Sequence, residues 1–190
     1  MDLIRPVVSS FEKLISEIPF LVELYSRPYR EVIKNEIKLA GISDEDKVLN
    51  VGCGAVPFTA IHLLNITGAE LWIQDRDSDA LDRAKKCLKR SGLADRARFF
   101  EGDAAHDVPE SFDVAIVALQ AGPKKAILKN LMQKMTKGGR LVFRQPSKSF
   151  ADYYDKLPEE IRSFDKIGQK TRTFDQSVLF LESPQLLEVL

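Results

Sequence analysis

The chain has 190 residues, 44% of them hydrophobic, which suits one compact domain with an ordinary core and leaves little room for two. Lysine plus arginine and aspartate plus glutamate number 28 each, so no net field draws the protein toward nucleic acid or an anionic membrane. The two cysteines, Cys53 and Cys87, are far apart and lack CxxC spacing; this argues against a disulfide framework or a zinc site and suits a reducing, cytoplasmic setting.

The first residues carry Asp2 and Glu12 rather than the basic-then-apolar pattern of a signal peptide. No apolar run approaches the roughly 18 residues of a membrane span, so a soluble, unexported protein with no membrane partner is expected. Apolar residues recur at three- and four-residue intervals over residues 7 to about 24 and again over 29–40, predicting two amphipathic helices separated by Pro28, the second ended by Gly41. Residues 1–41 thus read as a helical lead-in that could close over a pocket as a lid, and residues 42–190 as the main domain.

After Gly41 short apolar runs alternate with longer helical ones, the pattern of βαβ units around a parallel sheet. Strands are predicted over 47–51, 70–74, 98–101, 112–117 and 140–144, with helices over 57–66, 79–91 and 124–135 as right-handed crossovers. One more helix is expected after Pro146. Two runs near 164–169 and 176–181 read as an antiparallel pair closing the sheet. The fold class is therefore α/β, a doubly wound Rossmann-like sheet of seven strands.

The strongest chemical signal is the strand 48–51 running into Gly52-Cys53-Gly54 and then a helix. Glycines there let the backbone turn tightly and approach a ligand at the carboxyl end of the first strand. A dinucleotide fingerprint would continue with a third glycine and free N–H groups for a pyrophosphate; this chain has Ala55, Val56 and Pro57, and proline removes one donor. A nucleotide-type ligand without phosphates is favoured. Asp75, 21 positions after Gly54, ends the second strand where a carboxylate could accept both ribose hydroxyls. Asp77, Ser78 and Asp79 can cap the next helix, leaving Asp75 free for this role. Asp103 follows the third strand, where it could accept from an adenine amino group.

From Lys47 to about Leu181 the chain resembles the class I S-adenosylmethionine-dependent methyltransferase superfamily, whose last strand is antiparallel. The resemblance implies S-adenosylmethionine as cofactor. It maps the family's glycine turn to Gly52, Cys53 and Gly54, its ribose acid to Asp75 and its adenine acid to Asp103, with Arg76, Ala104 and Leu119 as neighbours in the cofactor set. Two positions depart from the pattern: the usual acid before the turn is Asn50, and the usual third glycine is Val56. The run Gly52-Cys53-Gly54-Ala55-Val56-Pro57-Phe58-Thr59 looks like a segment of nicotianamine synthases, which transfer the cofactor's aminocarboxypropyl arm. Val117-Ala118-Leu119-Gln120-Ala121-Gly122, Arg144, Tyr154 and Ser177-Val178 fall where that family has comparable residues. Lys148 and Phe150 replace its glycine and second arginine, and its large N-terminal helical region is reduced to about forty residues.

On the acceptor side the same rim offers Gln120, Arg144, Gln145, Tyr154 in the next helix, and Tyr25 and Tyr29 in the lead-in. Arg144 could instead pair with a surface acid, and Tyr153 and Tyr154 could be core packing. Cys53, without a paired base, reads as filling space beneath the ligand, and the distant His62 and His106 read as structural rather than as metal ligands. The basic run Arg83, Lys85, Lys86, Lys89 and Arg90 reads as a solvated helix face, with an RNA-facing patch as the alternative. The expected activity is transfer from S-adenosylmethionine to a small-molecule acceptor. Methyl transfer is the default by analogy with the fold, and aminocarboxypropyl transfer the alternative drawn from the closer local motifs. A non-catalytic binding module and a nucleic-acid-modifying enzyme are further alternatives, the latter weakened by the neutral charge and by the lack of an Asn-Pro-Pro-Tyr or Asp-Pro-Pro-Tyr box after the fourth strand.

Overall fold

The computed structural model describes residues 19–158, 160–183, 186–187 and 190, with residues 19–28 given by backbone alone. Residues 7–18 of the first expected helix, and the side chain of Tyr25, lie outside the described residues. Helix α1 covers Pro19–Ala40, so Pro28, expected to divide two helices, lies inside one. A proline removes one i→i−4 hydrogen bond and can bend a helix without ending it. The C-terminus falls where the sequence puts it: Gly41 is left-handed at φ +59°, and the Ile42 N–H reaches back to the Ile37 carbonyl at 3.0 Å.

The elements that follow are β1 (Lys47–Val51), α2 (Phe58–Ile66), β2 (Glu70–Asp75), α3 (Ser78–Arg90), β3 (Ala97–Glu101), β4 (Phe112–Val117), α4 (Lys124–Lys134), β5 (Met135–Pro146), β6 (Asp165–Gly168) and β7 (Phe174–Leu181). Strand β5 is longer than expected, leaving α4 directly and pairing Met135 with Phe112 before the register shifts. The helix expected after Pro146 is only a 3₁₀ turn at Lys148–Phe150 followed by further turns. Phe150, Tyr153 and Tyr154 imitate helical spacing by clustering with one another, with ring centroids 6.0 and 6.5 Å from Phe150, and so short a segment cannot offset the cost of nucleating a helix.

The seven strands lie in the order β3-β2-β1-β4-β5-β7-β6. Strands β3 to β5 run parallel, while β7 is antiparallel to both β5 and β6. The order reverses between β1 and β4, so a crevice opens at their carboxyl ends, the place where doubly wound sheets bind ligands. Central position explains why Val48, Leu49, Asn50 and Val51 are all buried. Alternation sends Val48 into a core with Ile33, Ile61 and Leu88 on one face, and Leu49 into a second core with Ile127, Leu131 and Phe143 on the other.

Helix α3 shows how local sequence and packing agree. Leu81, Ala84, Cys87 and Leu88 are buried at helical spacing, while Lys85, Lys86, Lys89 and Arg90 face solvent. Asp77 caps its start by accepting from the Asp79 and Ala80 N–H groups at 3.0 and 3.2 Å.

Candidate cofactor and acceptor site

Strand β1 leads into a turn in which Gly52 and Gly54 both take left-handed backbone angles, φ +75° and +65°. The Gly52 and Cys53 N–H groups donate to the Gln74 carbonyl at 2.9 and 3.2 Å, and the Gly54 N–H donates to Asp75 Oδ2 at 2.8 Å. The turn is therefore tied to the end of β2. A Cβ on Gly52 would stand 3.3 Å from the Cβ atoms of Ala118 and Ala121, whereas one on Gly54 meets no heavy atom within 4 Å among the described residues. Gly52 closes against the β4 loop, and Gly54 faces the open cleft. Pro57 precedes α2 and brings neither an N–H nor a side-chain cap, so this helix start is a poor phosphate cradle.

Asp75 is half-buried and not as free as the sequence suggests, since its Oδ1 also accepts the Asp77 N–H at 3.1 Å. A carboxylate offers about four lone-pair positions, which leaves acceptor capacity for hydroxyls. Arg76 is exposed beside it. Asp103 is half-buried in the turn after β3, where its Oδ1 accepts the Ala105 N–H at 3.0 Å. Ala104 is buried, and its carbonyl accepts from Asn130 Nδ2 at 3.0 Å. Burial, and then the Asp75 carboxylate beside it, push the Cys53 thiol well above its ordinary range, so Cys53 holds no thiolate for attack.

Asn50 is 1% exposed, and neither Nδ2 nor Oδ1 has a hydrogen-bond partner among the described residues. An unpaired buried amide costs about 1–3 kcal/mol, a cost that a ligand's polar group can relieve. A glycine turn, two strand-end acids, a phosphate-poor helix start and an unpaired amide two residues before Gly52 fit a phosphate-free nucleoside with a polar tail. The expected S-adenosylmethionine is such a molecule.

The other wall is the loop after β4 and the end of β5. Leu119 is buried, and the exposed Gln120 donates from Nε2 to the Gly52 carbonyl at 3.2 Å. Arg144 is not the exposed ligand the sequence allows. It is 4% exposed, its Nε and Nη2 donate to Glu36 Oε1 and Oε2 at 2.9 and 2.8 Å, and Nη2 also reaches Thr59 Oγ1 at 3.0 Å. Its guanidinium also lies 6.0 Å from the Tyr29 ring and 5.4 Å from that of Phe174. Burial alone would lower the Arg144 pKa, but the adjacent Glu36 carboxylate outweighs it and raises it, so the group stays protonated. Ser177, opposite Arg144 in the β5–β7 register, donates to Glu36 Oε1 at 2.7 Å. Gln169 donates to Ser177 Oγ at 3.0 Å and accepts from Asn35 Nδ2 at the same distance.

Tyr29 is half-buried and stacks on Phe58 with ring centroids 5.5 Å apart, within this cluster. Tyr154 is half-buried in the turn segment after β5 and packs against the core beside Phe150. Glu36 and Lys124 escaped the sequence reading, although both gave a signal. Glu36 stands on the apolar stripe of Val32, Ile33 and Ala40, and Lys124 on that of Ile127, Leu128 and Leu131, where an unpaired charge would be costly. His62 is buried and His106 exposed, and among the described residues no three His, Cys, Asp or Glu side chains converge as metal ligands.

A separate cleft of about 670 Å³ opens at the amino ends of β1 to β3, the far end of the sheet from the glycine turn, and is lined in part by Asp44, Lys47, Glu70, Arg96 and Arg98. Its arginines are occupied locally: Arg98 pairs with Glu70 at 3.0 Å, and Arg96 donates to the Leu64 and Thr67 carbonyls at 2.7 and 2.9 Å.

Comparison with known proteins agrees with this architecture. The L-histidine 2-aminobutanoyltransferase of Yersinia pestis is 32% identical over 120 residues, covering 63% of this chain and 45% of that protein. The probable cobalt-precorrin-6B C(15)-methyltransferase (decarboxylating) of Methanothermobacter thermautotrophicus is 30% identical over 109 residues, covering 55% of this chain and 54% of that one. The chain spans about half the length of these curated relatives. Among solved structures, MtNAS in complex with MTA and tNA superposes with a TM-score of 0.73 at 23% identity, over 83% of this chain and 61% of its own, a likeness of fold. The family model described as nicotianamine synthase protein matches residues 12–178, and the chain belongs to that family.

Proposed function

We propose that this chain is an S-adenosylmethionine-dependent transferase that moves the cofactor's 3-amino-3-carboxypropyl arm onto an amine nitrogen of a small-molecule acceptor. The observation that carries the reading is the open glycine turn, with Gly54 bound to Asp75 and the unpaired amide of Asn50 two residues before Gly52. When bound, S-adenosylmethionine supplies a sulfonium whose γ carbon an amine lone pair can take, the C–S electrons staying with sulfur as methylthioadenosine while the amine loses a proton.

Asp75 would accept the ribose hydroxyls and Asp103 the adenine amino group, with Gly52, Cys53, Gly54, Arg76, Ala104 and Leu119 shaping the pocket. Gln120, Tyr29 and Tyr154 would face the acceptor. Arg144 would act through Glu36 and Thr59, locking α1 and the first turn of α2 beside the glycine turn; such pre-organisation can supply a large share of the rate. Residues 1–41 belong to the same reading as a helical lead-in to one cofactor-binding domain.

Family membership and the aminobutanoyltransferase relative favour arm transfer over methyl transfer, the first choice from the sequence. The methyltransferase relative keeps methyl transfer as the second reading. The aminobutanoyltransferase also makes L-histidine the first acceptor to try. Calorimetric titration with S-adenosylmethionine tests the cofactor site. Asp75→Ala should weaken binding at least tenfold, and unchanged affinity would remove the ribose assignment.

A further inference from the structure

A fully buried lysine stands where none of the motifs places one. Lys124 opens α4 at 0% exposure, and its Nζ donates to the carbonyls of Leu119 at 2.6 Å and Ala121 at 2.9 Å. Two physical effects oppose a cation at this position. Burial penalises its charge, pushing the ammonium down to about 8 against the counteracting charge of Asp155. The N-terminus of a helix is also the positive end of its dipole. An apolar residue would suit the stripe better, but it would leave the two carbonyls without this donor.

Those carbonyls belong to a segment that is held on every side. The Ala118 N–H donates to Val51 O at 3.0 Å, and the Ala121 N–H to Ala118 O at 3.2 Å. Ala118 and Ala121 abut Gly52, and Gln120 reaches the Gly52 carbonyl. Asp155 accepts the Lys124 backbone N–H, and its Cβ would stand 3.2 Å from a Cβ on Gly122. In the sheet order β3-β2-β1-β4, Asp103 and Asp75 lie on one side of the glycine turn and this segment on the other. The cofactor's nucleoside therefore belongs to the β2–β3 side, and the reacting end to the side that Lys124 supports.

We propose that Lys124 is a positioning residue for the transfer: by tying the Leu119 and Ala121 carbonyls, it fixes the loop that presents Gln120 over the glycine turn and forms the acceptor side of the cleft. Its role there rests on the transferase reading above. An amine keeps two N–H donors even when neutral, so the tether survives loss of the proton, whereas a methionine of similar length removes it.

The test compares full-length wild type with Lys124→Met and, as a second variant that keeps amide donors, Lys124→Gln. Hydrogen–deuterium exchange of the unliganded proteins follows residues 118–122, calorimetry measures S-adenosylmethionine affinity, and steady-state kinetics with L-histidine gives separate KM values for the two substrates. In Lys124→Met, exchange at 118–122 should rise at least tenfold while the β1 and β5 amides hold. The KM for L-histidine should rise at least tenfold, and S-adenosylmethionine affinity should fall by a clearly smaller factor, since Leu119 also borders the cofactor. Lys124→Gln should fall between the two. If wild type binds S-adenosylmethionine but does not turn over L-histidine, the choice of acceptor fails, and the exchange data still decide whether Lys124 holds the loop. Unchanged exchange at 118–122 overturns the proposal. So does loss of protection across the whole sheet in both variants, or an equal loss of affinity for both substrates, since either marks a general structural role.

Discussion

Arg144 and Glu36 form a two-point ion pair almost sealed from water, with donor–acceptor distances of 2.9 and 2.8 Å and exposures of 4% and 0%. Buried pairs of this kind gain little over apolar replacements, but removing one partner strands the other charge. Glu36→Leu and Arg144→Met should each destabilise the fold by about 3–5 kcal/mol, and the double variant Glu36→Leu with Arg144→Met by clearly less than the sum. Urea unfolding of the four proteins measures this. Additive losses would mean that the two side chains do not depend on one another.

The two glycines of the turn should respond differently to alanine. Both are left-handed, which costs an alanine roughly 1–2 kcal/mol. Only at Gly52 would the new Cβ also press on Ala118 and Ala121, at 3.3 Å. Gly52→Ala should therefore lose more stability than Gly54→Ala, whereas Gly54→Ala, whose new Cβ enters the open cleft, should lose S-adenosylmethionine affinity out of proportion to its loss of stability. Equal stability losses in thermal melts would show that the β4 loop yields to the extra methyl, and unchanged affinity of Gly54→Ala in calorimetry would show that the cofactor does not approach Gly54.

Lys124 gives a signature in the alkaline range. Its folded value of about 8 lies below the ordinary 10.5, so between these the unfolded chain holds the extra proton and stability rises with pH. Wild type should gain thermal stability relative to Lys124→Met between pH 7.5 and about 10. A constant difference across that range would mean that the ammonium is not penalised by its site.

Asp113 sets the acid side. Burial pushes its carboxyl up, but the Thr136 hydroxyl, the Lys47 N–H and the charges of Lys47 and Arg140 together hold it below its ordinary 3.8. Its ionised form contributes stability above that value, lost as pH falls through the folded pKa. Asp113→Asn should be less stable at pH 7 by about 1 kcal/mol or more and lose stability less steeply on acidification. Parallel acid denaturation curves for the two proteins would contradict this.

Strands β1, β2 and β4 were legible because each combines a short buried run with a following helix of the right period, and the glycine turn because glycine suits its left-handed angles. What escaped depends on distant partners. Arg144 could be read as a ligand because Glu36, which holds it, lies 108 positions earlier in a helix read as a lead-in. Pro28 looked like a boundary because local sequence does not show that helix geometry continues on both sides of it. The turn at Lys148–Phe150 carries a helix-like pattern because three neighbouring aromatic rings gather among themselves at helical spacing.

Arm transfer from S-adenosylmethionine is reported most plainly by the nucleoside it leaves behind. Wild type incubated with S-adenosylmethionine and L-histidine should release methylthioadenosine, identified by mass spectrometry, in step with a product heavier by the aminocarboxypropyl group. Release of S-adenosylhomocysteine with a methylated product would contradict it.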